Sequence, residues 1–228
     1  MVRYHSSIID KSHPRWYNAC MKALYFDTET TGLRPDGFLQ AGTVHMGKIC
    51  QLAYVMEEDG GLTAKNFYFA VDAIEASASA VTGLTVPIVM RLSRGEVFAD
   101  HADEIWQDFA TADVLVAHNL AFDERFMRAE FGRLGMSFEV GYKGFCTMQR
   151  FAPVLKLPGK GSRYKMPSLE EFAVCEGVSM PEIMDMMDAL YHTRKAAHDA
   201  RHDVVKMWLA MDHACRGDLT LAAAFGKF

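Results

Sequence analysis

The stretch Lys22-Ala23-Leu24-Tyr25-Phe26-Asp27-Thr28-Glu29-Thr30-Thr31-Gly32-Leu33 decides how the rest of the chain is read. Four apolar residues run unbroken and stop at an acid, and a Thr-Gly pair follows. A short apolar run that ends in this way reads as a buried strand leaving a core. Side chains alternate along a strand, so Asp27 and Glu29, two apart, point to the same side. Two like charges on one face are costly unless protons or a cation neutralise them. Alone the pair says little, because a chain of 228 residues contains about one Asp-x-Glu by chance.

Outward from this strand, Arg34 to Gly47 is loop-like, with Pro35, Gly37 and Gly42. Ile49–Met56 and Asn66–Val71 read as two further strands across a Glu-Asp-Gly-Gly turn at 58–61. Phe98, Ala102, Ile105 and Phe109 have the spacing of an amphipathic helix. Val114–Ala117 is a fourth strand, and Phe122, Phe126, Ala129 and Leu134 place a helix directly after it, closed by Gly135. Phe145–Met148 is a short fifth strand. Ser168 and Glu171 form a capping box that starts another helix. A last helix runs from about Asp199 to Cys215. Three early strands followed by strand–helix alternation give an α/β class, a mixed sheet flanked by helices.

Half of the residues are apolar and 23% are charged, an ordinary globular balance. The length suits one well-filled domain, with 1–21 as an N-terminal extension, 22–215 as the domain and 216–228 as a tail. The net charge of −5 argues against coating nucleic acid through bulk charge, though not against a local basic groove. Cys20, Cys50, Cys146, Cys175 and Cys215 include no Cys-x-x-Cys pair and read as reduced thiols. With no apolar signal-like N-terminus and no membrane-length apolar run, the expectation is a cytoplasmic protein without membrane contact.

Histidine spacing is uninformative by itself. A His five residues before an Asp recurs at His5–Asp10, His118–Asp123, His198–Asp203 and His213–Asp218. The surrounding text carries the weight. Phe26-Asp27-Thr28-Glu29-Thr30-Thr31-Gly32-Leu33 resembles the first motif of the DnaQ-like (DEDDh) 3′–5′ exonuclease family, which includes DNA polymerase III epsilon-type proofreading subunits and RNase T. His118-Asn119-Leu120-Ala121-Phe122-Asp123-Glu124-Arg125-Phe126 resembles the second, and His198-Asp199-Ala200-Arg201-His202-Asp203 the third. They occur in the family's order, over roughly residues 22–215.

The resemblance implies a ribonuclease H-like mixed sheet of about five strands, the first three antiparallel. It implies removal of nucleoside 5′-monophosphates from 3′ ends. Asp27, Glu29, Asp123 and Asp203 would be the ligands of two Mg²⁺ ions, with Mn²⁺ able to substitute, and Asp27 would bridge the two. His198 would be the general base. Such chemistry needs a site that neutralises charge and sharpens a water nucleophile, and hard divalent ions prefer carboxylate oxygens. By the same carry-over, Thr30 and Leu33 contact the terminal nucleotide, while His118 and Asn119 line the site.

The second motif looks more like that of polymerase proofreading subunits and RNase T than that of oligoribonucleases, a resemblance that favours DNA over RNA as the nucleic acid bearing the free 3′ end. Whether the chain works alone, as a homodimer or beside a polymerase stays open. Two other readings compete. His198 and His202 at i and i+4 imitate a zinc-protease helix, although Asp199 stands where that motif needs a Glu. A non-catalytic nucleic-acid-binding module of this fold is the other. The most basic stretch, Lys156 to Lys165 around Tyr164, is either a solvated loop or a segment that tracks a phosphate backbone.

Overall fold

The computed structural model describes residues 4–5, 21–139, 141–161, 163–193 and 199–227. The run quoted above is the central strand, β2 (Ala23–Thr30), and it continues past Asp27 rather than stopping there. Behind a two-residue edge strand, β1 (Tyr4–His5), the sheet contains β2, β5 (Ile49–Glu58), β6 (Gly61–Tyr68), β7 (Val114–Ala117) and β8 (Gly144–Cys146). Their spatial order is β1-β6-β5-β2-β7-β8. The β2–β5–β6 set is antiparallel, while β7 and β8 run parallel to β2.

Strand β6 begins five residues earlier than its sequence suggests. Asp59 and Gly60 both take positive φ, 54° and 71°. That is the backbone of a two-residue hairpin turn, so Glu58 pairs at once with Gly61. Every β6 side chain is half-buried, which blurs the alternation that marks a strand.

Alternation on β2 sorts the core into two layers. Leu24 and Phe26 face α3 (Phe98–Thr111) and α4 (Leu120–Arg133), among Ile105, Phe109, Phe126 and Phe131. Ala23 and Tyr25 face the opposite layer, built largely on α8 (Ala200–Gly217) with Val204, Val205 and Met211. Each fully buried Leu or Phe of this kind contributes about 1.5–3 kcal/mol. Around α8 pack α6 (Leu169–Cys175), α7 (Met180–Tyr191) and α9 (Leu219–Ala224). Leu221, Ala222 and Phe225 carry that core into residues 216–228.

Several elements are not evident in the sequence reading. Residues 76–93 form α1 (Ala76–Thr82) and α2 (Val86–Ser93), both short, and α1 buries no side chain. Helix α5 (Thr147–Leu155) contains Pro153. The loop-like segment after Leu33 folds into a ribbon of its own, β3 (Phe38–Gln40) with β4 (Thr43–His45). The Ser168 capping box is present: Ser168 Oγ accepts from Glu171 N at 3.2 Å and Glu171 Oε2 accepts from Ser168 N at 2.9 Å. Among the described residues no single helix is long and apolar enough to cross a membrane.

Candidate active site

Pairing between β2 and β7 ends at Tyr25↔Val116, so the last residues of β2 project beyond their parallel neighbour. A crevice outside the carboxyl ends of parallel strands is where α/β sheets commonly bind ligands. Asp27 and Glu29 continue the face of Ala23 and Tyr25, toward α8. Asp203 lies in the first turn of α8. One carboxylate oxygen from each of Asp27, Glu29 and Asp203 lies within 4.8 Å of the others, although 176 positions separate the first from the last.

Asp123 approaches from the other layer. It sits in the first turn of α4 with 2% of its surface exposed. Thr28, which faces that layer, donates its backbone N–H at 3.1 Å and its hydroxyl at 2.8 Å to Asp123 Oδ1. The four carboxylates therefore gather around one strand end, three on one side and Asp123 held by Thr28.

The electrostatics follow from this crowding. Burial, then the charges of Asp123, Asp203 and Glu29, hold the Asp27 carboxyl well above its ordinary range. Burial, with Asp203 and Asp199 adding, pushes Glu29 up to about 7. Burial likewise raises Asp123 to about 7, against the opposing pull of the Thr28 hydrogen bonds. Lys206 is the one lysine or arginine within 4.0 Å of these four carboxylates among the described residues. It lies 3.8 Å from Asp203 and is committed to Glu170 at 2.7 Å. A set of hard oxygen donors this close, with only Lys206 beside it among the described residues, fits divalent ions such as Mg²⁺ or Mn²⁺.

The lesser site residues are distributed as follows. Thr30 is buried and donates its hydroxyl to Gly32 O at 2.8 Å. Leu33 stands 72% exposed at the rim. His118 has both ring nitrogens engaged, Nδ1 with Thr147 Oγ1 at 2.8 Å and Nε2 with Pro167 O at 3.0 Å. A carbonyl only accepts, so Nε2 carries the proton and neither nitrogen is free for a metal. Burial lowers its pKa, which agrees with a neutral ring. Asn119 is exposed, at φ 67°, just before α4. His198 lies outside the described residues. His202 is 2% exposed, with Nε2 buried and unpartnered and Nδ1 3.4 Å from Asp203 Oδ1. The one cluster among the described residues that could hold a metal is Asp27, Glu29 and Asp203, and His202 is not part of it.

One buried network is missed by motif reading. Asp199 caps α8 and receives Arg201 Nε at 2.8 Å, Arg201 Nη2 at 2.6 Å and Gln51 Nε2 at 2.8 Å. Burial opposes its charge, but these partners win and hold its carboxyl below the ordinary value. Gln51 pairs with Glu29 across β2 and β5, so the network ties the start of α8 to the strand that carries the acids. The signal available was Asp199 as an N-cap residue. A separate cavity of about 390 Å³ lies beside the β3–β4 ribbon, lined in part by Gln40, His45, Asp72 and Thr85, and includes none of the four acids.

A central mixed sheet with helices on both faces is the ribonuclease H-like fold expected from the sequence, and the acids lie at the carboxyl end of its middle strand. Among solved structures, one described as "3′-end specific recognition of histone mRNA stem-loop by 3′-exonuclease" is similar. It superposes with a TM-score of 0.51 at 10% identity, covering 91% of this chain and 65% of that one. At that identity the likeness is one of fold, and this chain spans just under two thirds of the other's length. No protein-family profile matches the sequence, and no curated protein matches it.

Proposed function

We propose that this protein is a metal-dependent 3′–5′ exonuclease that releases nucleoside 5′-monophosphates from nucleic acid. The observation that carries the reading is the meeting of Asp27, Glu29 and Asp203 within 4.8 Å, with Asp123 behind Thr28. Asp27, Glu29, Asp123 and Asp203 would hold two Mg²⁺ ions. Such ions, when bound, neutralise phosphate charge and lower the pKa of water.

The chain's own groups do the rest. Thr28 favours the ionised form of Asp123 by donating two hydrogen bonds to one oxygen, against the burial that raises its pKa. The Asp199–Arg201–Gln51 network fixes the first turn of α8, and with it Asp203. His198, immediately before that cap, takes the proton of the attacking water in its neutral form. The water oxygen bonds to phosphorus as its proton passes to the imidazole, the phosphorus–O3′ bond breaks with its electron pair left on O3′, which takes a proton from solvent, and the 5′-phosphate leaves on the released nucleotide. The Thr30 backbone and Leu33 hold the terminal nucleotide, with His118 and Asn119 lining the site.

The catalytic unit in this reading is residues 22–215, with 1–21 as an extension and 216–228 as a tail, working in the cytoplasm. DNA ends are the favoured substrate, on the text of the second motif. RNA is the second reading, because the similar solved structure concerns an RNA 3′ end. End-labelled DNA and RNA, single- and double-stranded, digested with Mg²⁺ and with EDTA, test the proposal. The expected products are 5′-mononucleotides from a 3′-hydroxyl end, lost in EDTA and restored by Mg²⁺ or Mn²⁺. Cleavage of closed circles at a comparable rate would refute it.

A further inference from the structure

The carboxylate cluster repels the phosphates it has to receive, and the chain as a whole carries −5. A strand that places its terminal linkage among four acids therefore needs cations where the rest of it leaves the site. The connection between α5 and α6 carries exposed cations, and its C-terminal end reaches the site. Near its end, Pro167 accepts the hydrogen bond of His118 Nε2 at 3.0 Å, and the Asp203 charge acts on that same ring. Three residues further, Glu170 holds Lys206, which stands 3.8 Å from Asp203. The end of the connection thus borders the acids.

The connection has a defined shape. Pro158 and Tyr164 form a β-bridge, and Lys165 N donates to Leu157 O at 2.9 Å. Gly159 passes so near the opposite strand that a Cβ there would lie 2.3 Å from Arg163 O. Lys156, Lys160 and Arg163 are exposed and form no ion pair among the described residues, whereas Lys165 is paired with Glu171 at 2.6 Å. Tyr164 is 52% exposed and Met166 51%. Unpaired cations beside an exposed aromatic ring are the recurring apparatus for single-stranded nucleic acid, since every base has a stacking face and every nucleotide a phosphate.

We infer that Lys156, Lys160, Arg163 and Tyr164 form a rim that grips a single strand on the 5′ side of its terminal nucleotide. The inference rests on the exonuclease reading and names the substrate it works on: a single-stranded 3′ end several nucleotides long. The cations contact successive phosphates and the Tyr164 ring stacks on one unpaired base. Short esters that end at the scissile phosphate gain nothing from this rim.

Two measurements on the full chain test it. Binding of a fluorescein-labelled oligothymidylate 20-mer is followed by anisotropy in EDTA over a range of salt. Hydrolysis of the p-nitrophenyl ester of thymidine 5′-monophosphate is followed with Mg²⁺. Neutralising the three cations (Lys156→Gln, Lys160→Gln and Arg163→Gln together) should weaken oligonucleotide binding about tenfold and flatten the salt slope by about 2. Tyr164→Ala should weaken it about tenfold with the slope unchanged. Ester hydrolysis should stay at the wild-type rate in both, and exchanging each Lys for Arg and Arg for Lys should preserve oligonucleotide binding.

Unchanged affinity and slope in the neutralised protein would overturn the inference. Polyglutamate binding as tight as the oligonucleotide, or a loss in the charge-preserving variant equal to that in the neutralised one, would overturn it as well. If the wild-type protein hydrolyses neither substrate, the exonuclease reading fails, and the binding measurement still decides the role of the rim.

Discussion

Replacing Glu29 with Gln should stabilise the metal-free protein while abolishing its activity. One Glu29 carboxylate oxygen lies within 4.8 Å of those of Asp27 and Asp203, and burial, with the charges of Asp203, Asp199 and Asp123, raises its carboxyl from 4.5 to about 7. An acid whose folded pKa is raised holds its proton more tightly in the folded state. Its favourable share of stability is complete below about 4.5 and is lost as pH rises through about 7. At 1.36 kcal/mol per unit, the ionised group costs the fold about 3 kcal/mol at pH 8. Gln has the same shape and no charge, so Glu29→Gln removes that penalty. For a domain of this size the gain corresponds to roughly 6–12 °C in Tm. The assay is thermal melting of both proteins in EDTA at pH 5, 6, 7 and 8. The variant's advantage should be small at pH 5, grow through pH 7, and shrink or reverse when Mg²⁺ is added, because the ion stabilises the wild type alone by mass action. A variant that melts below wild type in EDTA at pH 8 would refute the argument that these acids are crowded to receive cations.

Asp203→Asn should weaken Mg²⁺ binding as well as turnover. His198→Ala should leave metal and substrate binding intact while turnover falls by roughly 10²–10⁴-fold; calorimetric Mg²⁺ titration beside single-turnover rates separates the two. Wild-type activity should decline as pH drops through a histidine-like value near ~6.5, because the base acts unprotonated. Thr28→Val keeps the shape of a side chain that donates to Asp123 at 2.8 Å. It should raise the Mg²⁺ activation midpoint about tenfold or more, a hydrogen bond to a charged group being worth ~1.5–3 kcal/mol; an unchanged midpoint would remove Thr28 from the site. Asp199→Ala leaves the Arg201 guanidinium and Gln51 without their carboxylate. Chemical denaturation should show a loss of about 3 kcal/mol, and an equal loss in Arg201→Ala would mark the pair as one unit.

The sequence by itself determined the central strand, its neighbours Val114–Ala117 and Ile49 onward, and the two helices that deliver Asp123 and Asp203. These are local signals: an unbroken apolar run, a helical period, a capping residue. Alternation alone also placed Asp27 and Glu29 on one face of β2. Tertiary structure decided what local text does not encode. Thr28 became the partner of Asp123 because the pairing of β2 with β7 ends at Tyr25↔Val116 and leaves the Thr28 N–H open to α4. Asp199 became a buried anchor because Gln51, 148 positions away, lies opposite Glu29 in the sheet. The segment after Leu33 became a ribbon because its hold is long-range: Arg133 donates to Gly47 O at 2.6 Å, and Lys48 pairs with Asp72 at 2.7 Å. No window of sequence contains both ends of such contacts, whereas a strand or a helix turn carries its period within a few residues.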